Sequence, residues 1–216
     1  MTHGPIIRPE NSAPSCTTPP LSLSHFLAEA RARKLRRVVD VGAGRLRATN
    51  PLLDAGLDVW TVETELQLAR TAELLSSARR RYPRLRTPLS AGQFGSSALN
   101  LDGAVCICVL HTVPAIRGRT EILRALRKNL SVGGLLLLDV PHGLTYYHRP
   151  DSRAKEFLDG YIMGPGPVHT FFKEYTESEL VSTVERRGFE FVRNLGIRRH
   201  HAILFAAASG FRTRRG

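Results

Sequence analysis

Val38-Val39-Asp40-Val41-Gly42-Ala43-Gly44 is an apolar run that ends in a carboxylate and two glycines one residue apart. Glycine permits a tight turn and lets backbone approach a ligand with no Cβ in the way, so this run predicts a cradle for a nucleotide-like molecule. A second apolar run, Leu57 to Val62, ends at Glu63, whose carboxylate can accept hydrogen bonds from both hydroxyls of a ribose. Asp40, Gly42, Ala43, Gly44 and Glu63 are therefore the expected cofactor contacts. Gly-x-Gly by itself also describes an ordinary structural turn; it is the ordered pair of strand ends that points to a ligand.

A second group of side chains could move protons. His111 directly follows the run Val105 to Leu110, and His142 directly follows Leu135 to Val140. An imidazole titrates near neutrality, so either could serve as a general base, and either is equally suited to a structural hydrogen bond. Residues 141–175 are rich in Gly, Pro, His and aromatics and have no clear periodicity. Tyr146, Tyr147, His148 and His169 in that segment are expected to form a lid or substrate wall. No metal site is expected, because the histidines show no ligand spacing and Cys106 and Cys108 form a Cys-x-Cys pair without partners. With Cys16 the cysteines are also too few for a disulfide framework.

The elements that must position these residues alternate. Apolar periodicity predicts a helix from Ser22, a strand over Arg37 to Val41, a helix from about Asn50 to Ala55 and a strand over Leu57 to Val62. A long helix from about Glu65 to Arg81 follows, then a weak strand near Leu85 to Leu89, a loop with Gly92 and Gly95, and a strand over Gly103 to Leu110. The spacing then gives a helix over Arg119 to Leu130, a strand over Leu135 to Val140 and a helix over Glu177 to Arg187. Two strands, Phe189 to Arg193 and His201 to Ala208, end the pattern, and the short connection between them can hold no crossover helix. The expected fold is α/β: a Rossmann-like doubly wound seven-stranded sheet, mostly parallel, with a C-terminal antiparallel hairpin. Residues 1–21, with Pro5, Pro9, Pro14, Pro19 and Pro20, read as a flexible leader, 22–210 as one domain and 211–216 as a basic tail.

In this order the chain resembles the class I S-adenosylmethionine-dependent methyltransferases over about residues 22–208. Val38 to Gly44 resembles that family's first motif, Glu63 its ribose-binding acid, Asp102 to Pro114 its fourth-strand motif, and Leu130 to Leu135 its turn before strand five. The resemblance implies S-adenosyl-L-methionine as cofactor and a transferase that methylates O, N or C of a small or medium-sized molecule. It also implies contacts from Val109 at the end of the fourth strand. Where the family often carries an acid after strand three, this chain has Leu89-Ser90-Ala91-Gly92-Gln93-Phe94, so Ser90 or Gln93 is expected to give a polar contact to the adenine and Phe94 to cover its ring, with recognition by backbone groups as the alternative. Arg47 stands where a dinucleotide enzyme would have its third glycine, which disfavours a pyrophosphate ligand.

The net charge of +12 suggests a polyanion partner, but the clusters Arg31 to Arg37, Arg79 to Arg86, Arg124 to Lys128 and Arg186-Arg187 all close helices. There they complement helix dipoles on the face opposite the expected cofactor. An RNA- or protein-directed methyltransferase and a non-catalytic cofactor-binding module are the alternatives. The apolar run Leu135 to Leu138 is far shorter than the roughly 20 residues of a membrane span, and no secretory signal is present, so a cytoplasmic protein without membrane contact is expected.

Overall fold

The computed structural model describes residues 5–12, 17–143, 154–164 and 167–210. The first half contains β1 (Ile6–Ile7), α1 (Leu21–Ala32), β2 (Arg37–Val41), α2 (Thr49–Asp54), β3 (Asp58–Glu63), α3 (Glu65–Arg70), α4 (Ala72–Arg81), β4 (Leu89–Ser90), α5 (Ala91–Ser96) and β5 (Leu101–Ile107). The second contains α6 (Ile116–Asn129), β6 (Leu130–Pro141), β7 (Lys155–Phe157), β8 (Gly160–Met163), β9 (Val168–Phe172), α7 (Glu177–Glu185), β10 (Phe189–Asn194) and β11 (His200–Ala207). Short 3-10 turns lie at Pro9–Ser12 and Leu110–Thr112.

The main sheet has seven strands in the order β10-β11-β6-β5-β2-β3-β4. Strands β4, β3, β2, β5 and β6 run parallel, and β11 is antiparallel to both β6 and β10. Central parallel strands covered on both faces must be apolar throughout, which is why Val38, Val39, Ala104, Val105 and Leu135 to Leu138 are fully buried. Alternate residues feed two cores. On one face Val38, Val105, Leu135 and Leu137 pack with Leu23 and Phe26 of α1 and Leu52 of α2. On the other, Val39, Cys106, Leu136 and Leu138 pack with Phe94, with Leu123 and Leu126 of α6 and with Leu180 and Val184 of α7.

Four local expectations are corrected. The long helix is broken at Thr71, whose hydroxyl donates to the Gln67 carbonyl at 2.8 Å, so α3 and α4 are separate. The loop with Gly92 and Gly95 is helix α5, begun by a capping box in which Ser90 accepts from the Gln93 amide and Gln93 accepts from the Ser90 amide. The third strand is reduced to Leu89–Ser90 and one bridge between Val59 and Leu85. Residues 141–175, expected to be irregular, contain β7, β8 and β9, which with β1 form a second, four-stranded sheet in the order β1-β9-β8-β7. Within the expected leader, Ile6 and Ile7 pair parallel with Val168 and His169. The basic tail 211–216 lies outside the described residues.

The small sheet is tied to the body by charge. Arg119, only 4% exposed on α6, donates to both carboxylate oxygens of Asp159 at 2.8 and 2.7 Å, in the turn between β7 and β8. Lys173, just after β9, lies 3.4 Å from Asp159 and 2.9 Å from Glu179 of α7. The arginines that close helices and enter strands are also engaged. Arg37 donates to the Leu99 carbonyl at 2.6 Å, Arg127 to the Gly188 carbonyl at 2.9 Å, and Arg86 to Asp58 at 2.9 Å.

Removing one partner of a buried pair leaves the other charge without compensation. The substitution Arg119→Met should therefore lower stability by about 2 kcal/mol, discounted because Asp159 is partly exposed. It should also speed proteolytic cleavage within residues 155–172. Unchanged cleavage would show that the ion pair does not hold the small sheet in place.

Candidate functional site

The chain leaves β2 toward β3 on one side and returns to β5 on the other, so the carboxyl ends of β2 and β5 open a crevice between them. Asp40 to Gly44 line one wall of this cleft, Glu63, Thr64 and Gln67 a second, and Cys108, Val109 and Thr112 a third. Pro9 and Glu10 reach it from the N-terminal segment.

Gly42 has φ +78°, and a Cβ there would meet Val109 Cγ2 at 2.2 Å, so both conformation and contact demand glycine. The turn is held across strands: Glu63 Oε1 accepts the Gly44 N–H at 2.6 Å. Burial pushes the Glu63 carboxyl up from its ordinary value, while the Gly44 and Thr64 amides draw it back and Glu10 adds repulsion. Asp40 is 2% exposed and accepts the Thr49 hydroxyl at 2.6 Å; burial raises its carboxyl to about 7 against the opposing pull of that hydrogen bond. Arg47, also on the cleft, donates from Nε to the Thr18 carbonyl at 2.8 Å.

Asp40, Gly42, Ala43, Gly44, Glu63 and Val109 are thus brought together around one cleft. Gln93 and Phe94 are not. The Gln93 carbonyl oxygen is consumed by the helix cap, and Phe94, 2% exposed, belongs to the core under α5 and α6. Ala91 is the residue of that stretch that reaches the cleft.

The proposed bases fall elsewhere too. His111 is 7% exposed with its ring edge-on to Phe172 at 5.4 Å, and burial depresses its imidazole to about 3. Its Nδ1 is buried with no hydrogen-bond partner among the described residues, and the side chain does not line the cleft. His142 stacks on His201 with centroids 4.1 Å apart and does not line the cleft. His169 sits half-buried on β9, and Tyr146, Tyr147 and His148 lie outside the described residues.

The structure instead assembles a pair that sequence reading missed. His200 at the start of β11 places Nδ1 2.6 Å from Asp139 Oδ1 near the end of β6, and Ser22 on α1 donates to Asp139 Oδ2 at 2.5 Å. The hydrogen bond to Asp139 raises the His200 imidazole above its ordinary value, against partial burial and the Arg47 charge. Cys108, which lines the cleft with φ +58°, offers its sulfur within 4.8 Å of both. The pair spans 61 residues, so no local spacing could have announced it.

A family model described as "Methyltransferase domain" matches residues 19–194. No curated protein matches the sequence. Among solved structures, the CcbJ methyltransferase from Streptomyces caelestis is 18% identical, with 93% of this chain and 95% of that chain covered at a TM-score of 0.64. The 1,6-didemethyltoxoflavin-N1-methyltransferase from Burkholderia thailandensis is 18% identical over 87% of this chain and 79% of its own, at 0.60. Magnesium protoporphyrin IX methyltransferase (ChlM) from Synechocystis PCC 6803, with bound SAH, is 14% identical over 87% and 82%, also at 0.60. At these identities the likeness is one of fold.

The enclosed His111 makes a pH prediction. Its folded value lies below the unfolded value of 6.5, so the stability it contributes is full above that pH and is lost as pH falls toward about 3. His111→Phe should therefore lose less stability than the parent between about pH 6.5 and pH 4 in urea unfolding. Identical pH profiles would contradict a neutral buried imidazole.

Proposed function

Because this chain belongs to the methyltransferase domain family, we propose that it methylates an O–H or N–H group of a small molecule, with S-adenosyl-L-methionine as the methyl source. The observation that carries this reading is the cleft itself. A glycine turn and the strand-end carboxylate of Glu63 share one cavity with the Cys108 edge of the sheet, beside which the His200 and Asp139 pair stands. The Burkholderia thailandensis relative holds 1,6-didemethyltoxoflavin and S-adenosylhomocysteine, which supports both the cofactor and a small acceptor.

The residues present fit that cofactor. The glycine turn has no side chain where Val109 closes on Gly42, leaving backbone to face the ligand, and Glu63 offers acceptor lone pairs to a ribose diol. When bound, S-adenosylmethionine supplies an electrophilic methyl group on a sulfonium. The Gly42 to Gly44 backbone and Glu63 orient the ligand, and Val109 with Ile107 excludes water from the sheet side.

His200 handles the acceptor proton. Asp139 accepts from Nδ1–H, which fixes the tautomer and leaves the Nε2 lone pair as the base. Nε2 would take the proton that the acceptor oxygen or nitrogen sheds, the cofactor would supply the methyl group by cleavage of its C–S bond and leave as the neutral thioether, and buried Asp139 would stabilise the resulting imidazolium. Ser22 holds the second oxygen of Asp139, so the carboxylate cannot swing away. Engagement of Arg37, Arg86 and Arg127 by carbonyls and Asp58 also favours a small acceptor over a polyanion.

Incubation with methyl-labelled S-adenosylmethionine and a cell extract should place label in a small organic product; label in RNA or protein, or in nothing, would contradict the reading. Glu63→Ala should weaken binding of S-adenosylhomocysteine in calorimetry by about tenfold or more, the scale of a lost charge-assisted hydrogen bond. On the labelled product's precursor, His200→Gln should lower the rate by about 100-fold and abolish its acid limb while leaving cofactor affinity within twofold. The base must be unprotonated, so the parent rate rises with pH through the raised His200 value; an unaltered limb in the variant would remove His200 from the reaction.

A further inference from the structure

The N-terminal segment brings a second carboxylate to the cleft. Glu10, in the 3-10 turn Pro9–Ser12, accepts the Thr64 hydroxyl through Oε1 at 2.7 Å, one residue beyond Glu63. Its Oε2 is buried and has no partner, although the residue lines the same cavity as Glu63. Neighbouring contacts fix the turn: Arg70 of α3 donates to Asn11 Oδ1 at 3.3 Å, and the Arg8 N–H donates to the His169 carbonyl of β9 at 2.8 Å.

Carboxylate oxygens accept hydrogen bonds, and a buried acceptor left unmatched is costly. Two such carboxylates facing one cavity call for a ligand that donates to both. A nucleoside does so through its ribose hydroxyls and exocyclic amine, whereas a phosphate would be repelled by both. We propose that Glu10 is a cofactor-binding residue that accepts a hydrogen bond from the nucleoside half of the cofactor, so that the N-terminal turn completes a site otherwise built from β2, β3 and β5.

The turn is continuous with β1, whose Ile6 and Ile7 pair with β9 of the small sheet. Filling the cleft therefore firms the attachment of that sheet: a ligand held by Glu10 secures the turn, and the turn secures the β1–β9 pairing. The proposal rests on the reading of the cleft as a nucleoside site, and the two can fail separately.

The probe is S-adenosylhomocysteine, titrated by calorimetry into the full chain and into Glu10→Ala and Glu10→Gln, with amide hydrogen exchange followed at Ile6 and Arg8. Loss of one charge-assisted hydrogen bond should weaken binding about tenfold or more in Glu10→Ala and by less in Glu10→Gln, which keeps an acceptor oxygen. The ligand should slow exchange at Ile6 and Arg8 in the parent and not in Glu10→Ala. Parent-like affinity, within twofold, in Glu10→Ala would overturn the role of Glu10 and leave the cleft reading standing. Absence of binding to the parent would overturn both. Thermal unfolding without ligand should fall only slightly in Glu10→Ala, which loses the Thr64 hydrogen bond, and less in Glu10→Gln, and a large fall there would make Glu10 structural instead.

Discussion

One hydrogen bond sets the geometry of the whole site: the carboxylate of Glu63 accepting the backbone N–H of Gly44 at 2.6 Å, between the ends of neighbouring strands. It forms because β2 and β3 pair in register from Arg37 opposite Asp58 to Val41 opposite Val62, which brings the turn after β2 and Glu63, the last residue of β3, to the same edge. Glycine at 42 then lets Val109 close in from β5's side, where any Cβ would collide. Register, glycine and carboxylate are thus one constraint, and the cleft is the space it leaves open.

The second constraint lies beside the Cys108 edge of the cleft. Asp139 is taken out of water and can remain only because Ser22 and His200 satisfy both of its oxygens. The same two bonds give His200 a fixed tautomer. Burial therefore does two jobs here, stabilising a contact between α1, β6 and β11 and preparing a base. Burial lowers both imidazoles, but at His200 the Asp139 hydrogen bond outweighs it, whereas at His111 burial dominates.

The sheet was legible because its signal is local. Val38, Val39 and Val41 crowd one short run closed by glycine, and the last connection, residues 195–199, is too short for a crossover helix and forces a hairpin. Glu63 was legible for the same reason: it is the first acid after a strand. Helix α5 was misread because Gly92 and Gly95 outweighed the Ser90 and Gln93 capping box, a signal that was present in the sequence. The small sheet was not legible. Its first strand has two residues whose partners lie more than 150 positions away, from Ile6 to Val168, and no pattern of period two can develop over that length. The Asp139 and His200 pair is likewise a product of strand order, whereas His111 and His142 drew attention by standing directly after strands, and their rings lie against Phe172 and His201.

The account stands most directly on where the cofactor sits, and a crystal structure with S-adenosylhomocysteine bound measures that. It should show the ribose hydroxyls against Glu63, backbone of Gly42 to Gly44 along the ligand, and the sulfur on the Cys108 side of the cleft, toward His200. Ligand density elsewhere on the molecule, or a ribose that does not touch Glu63, would contradict it.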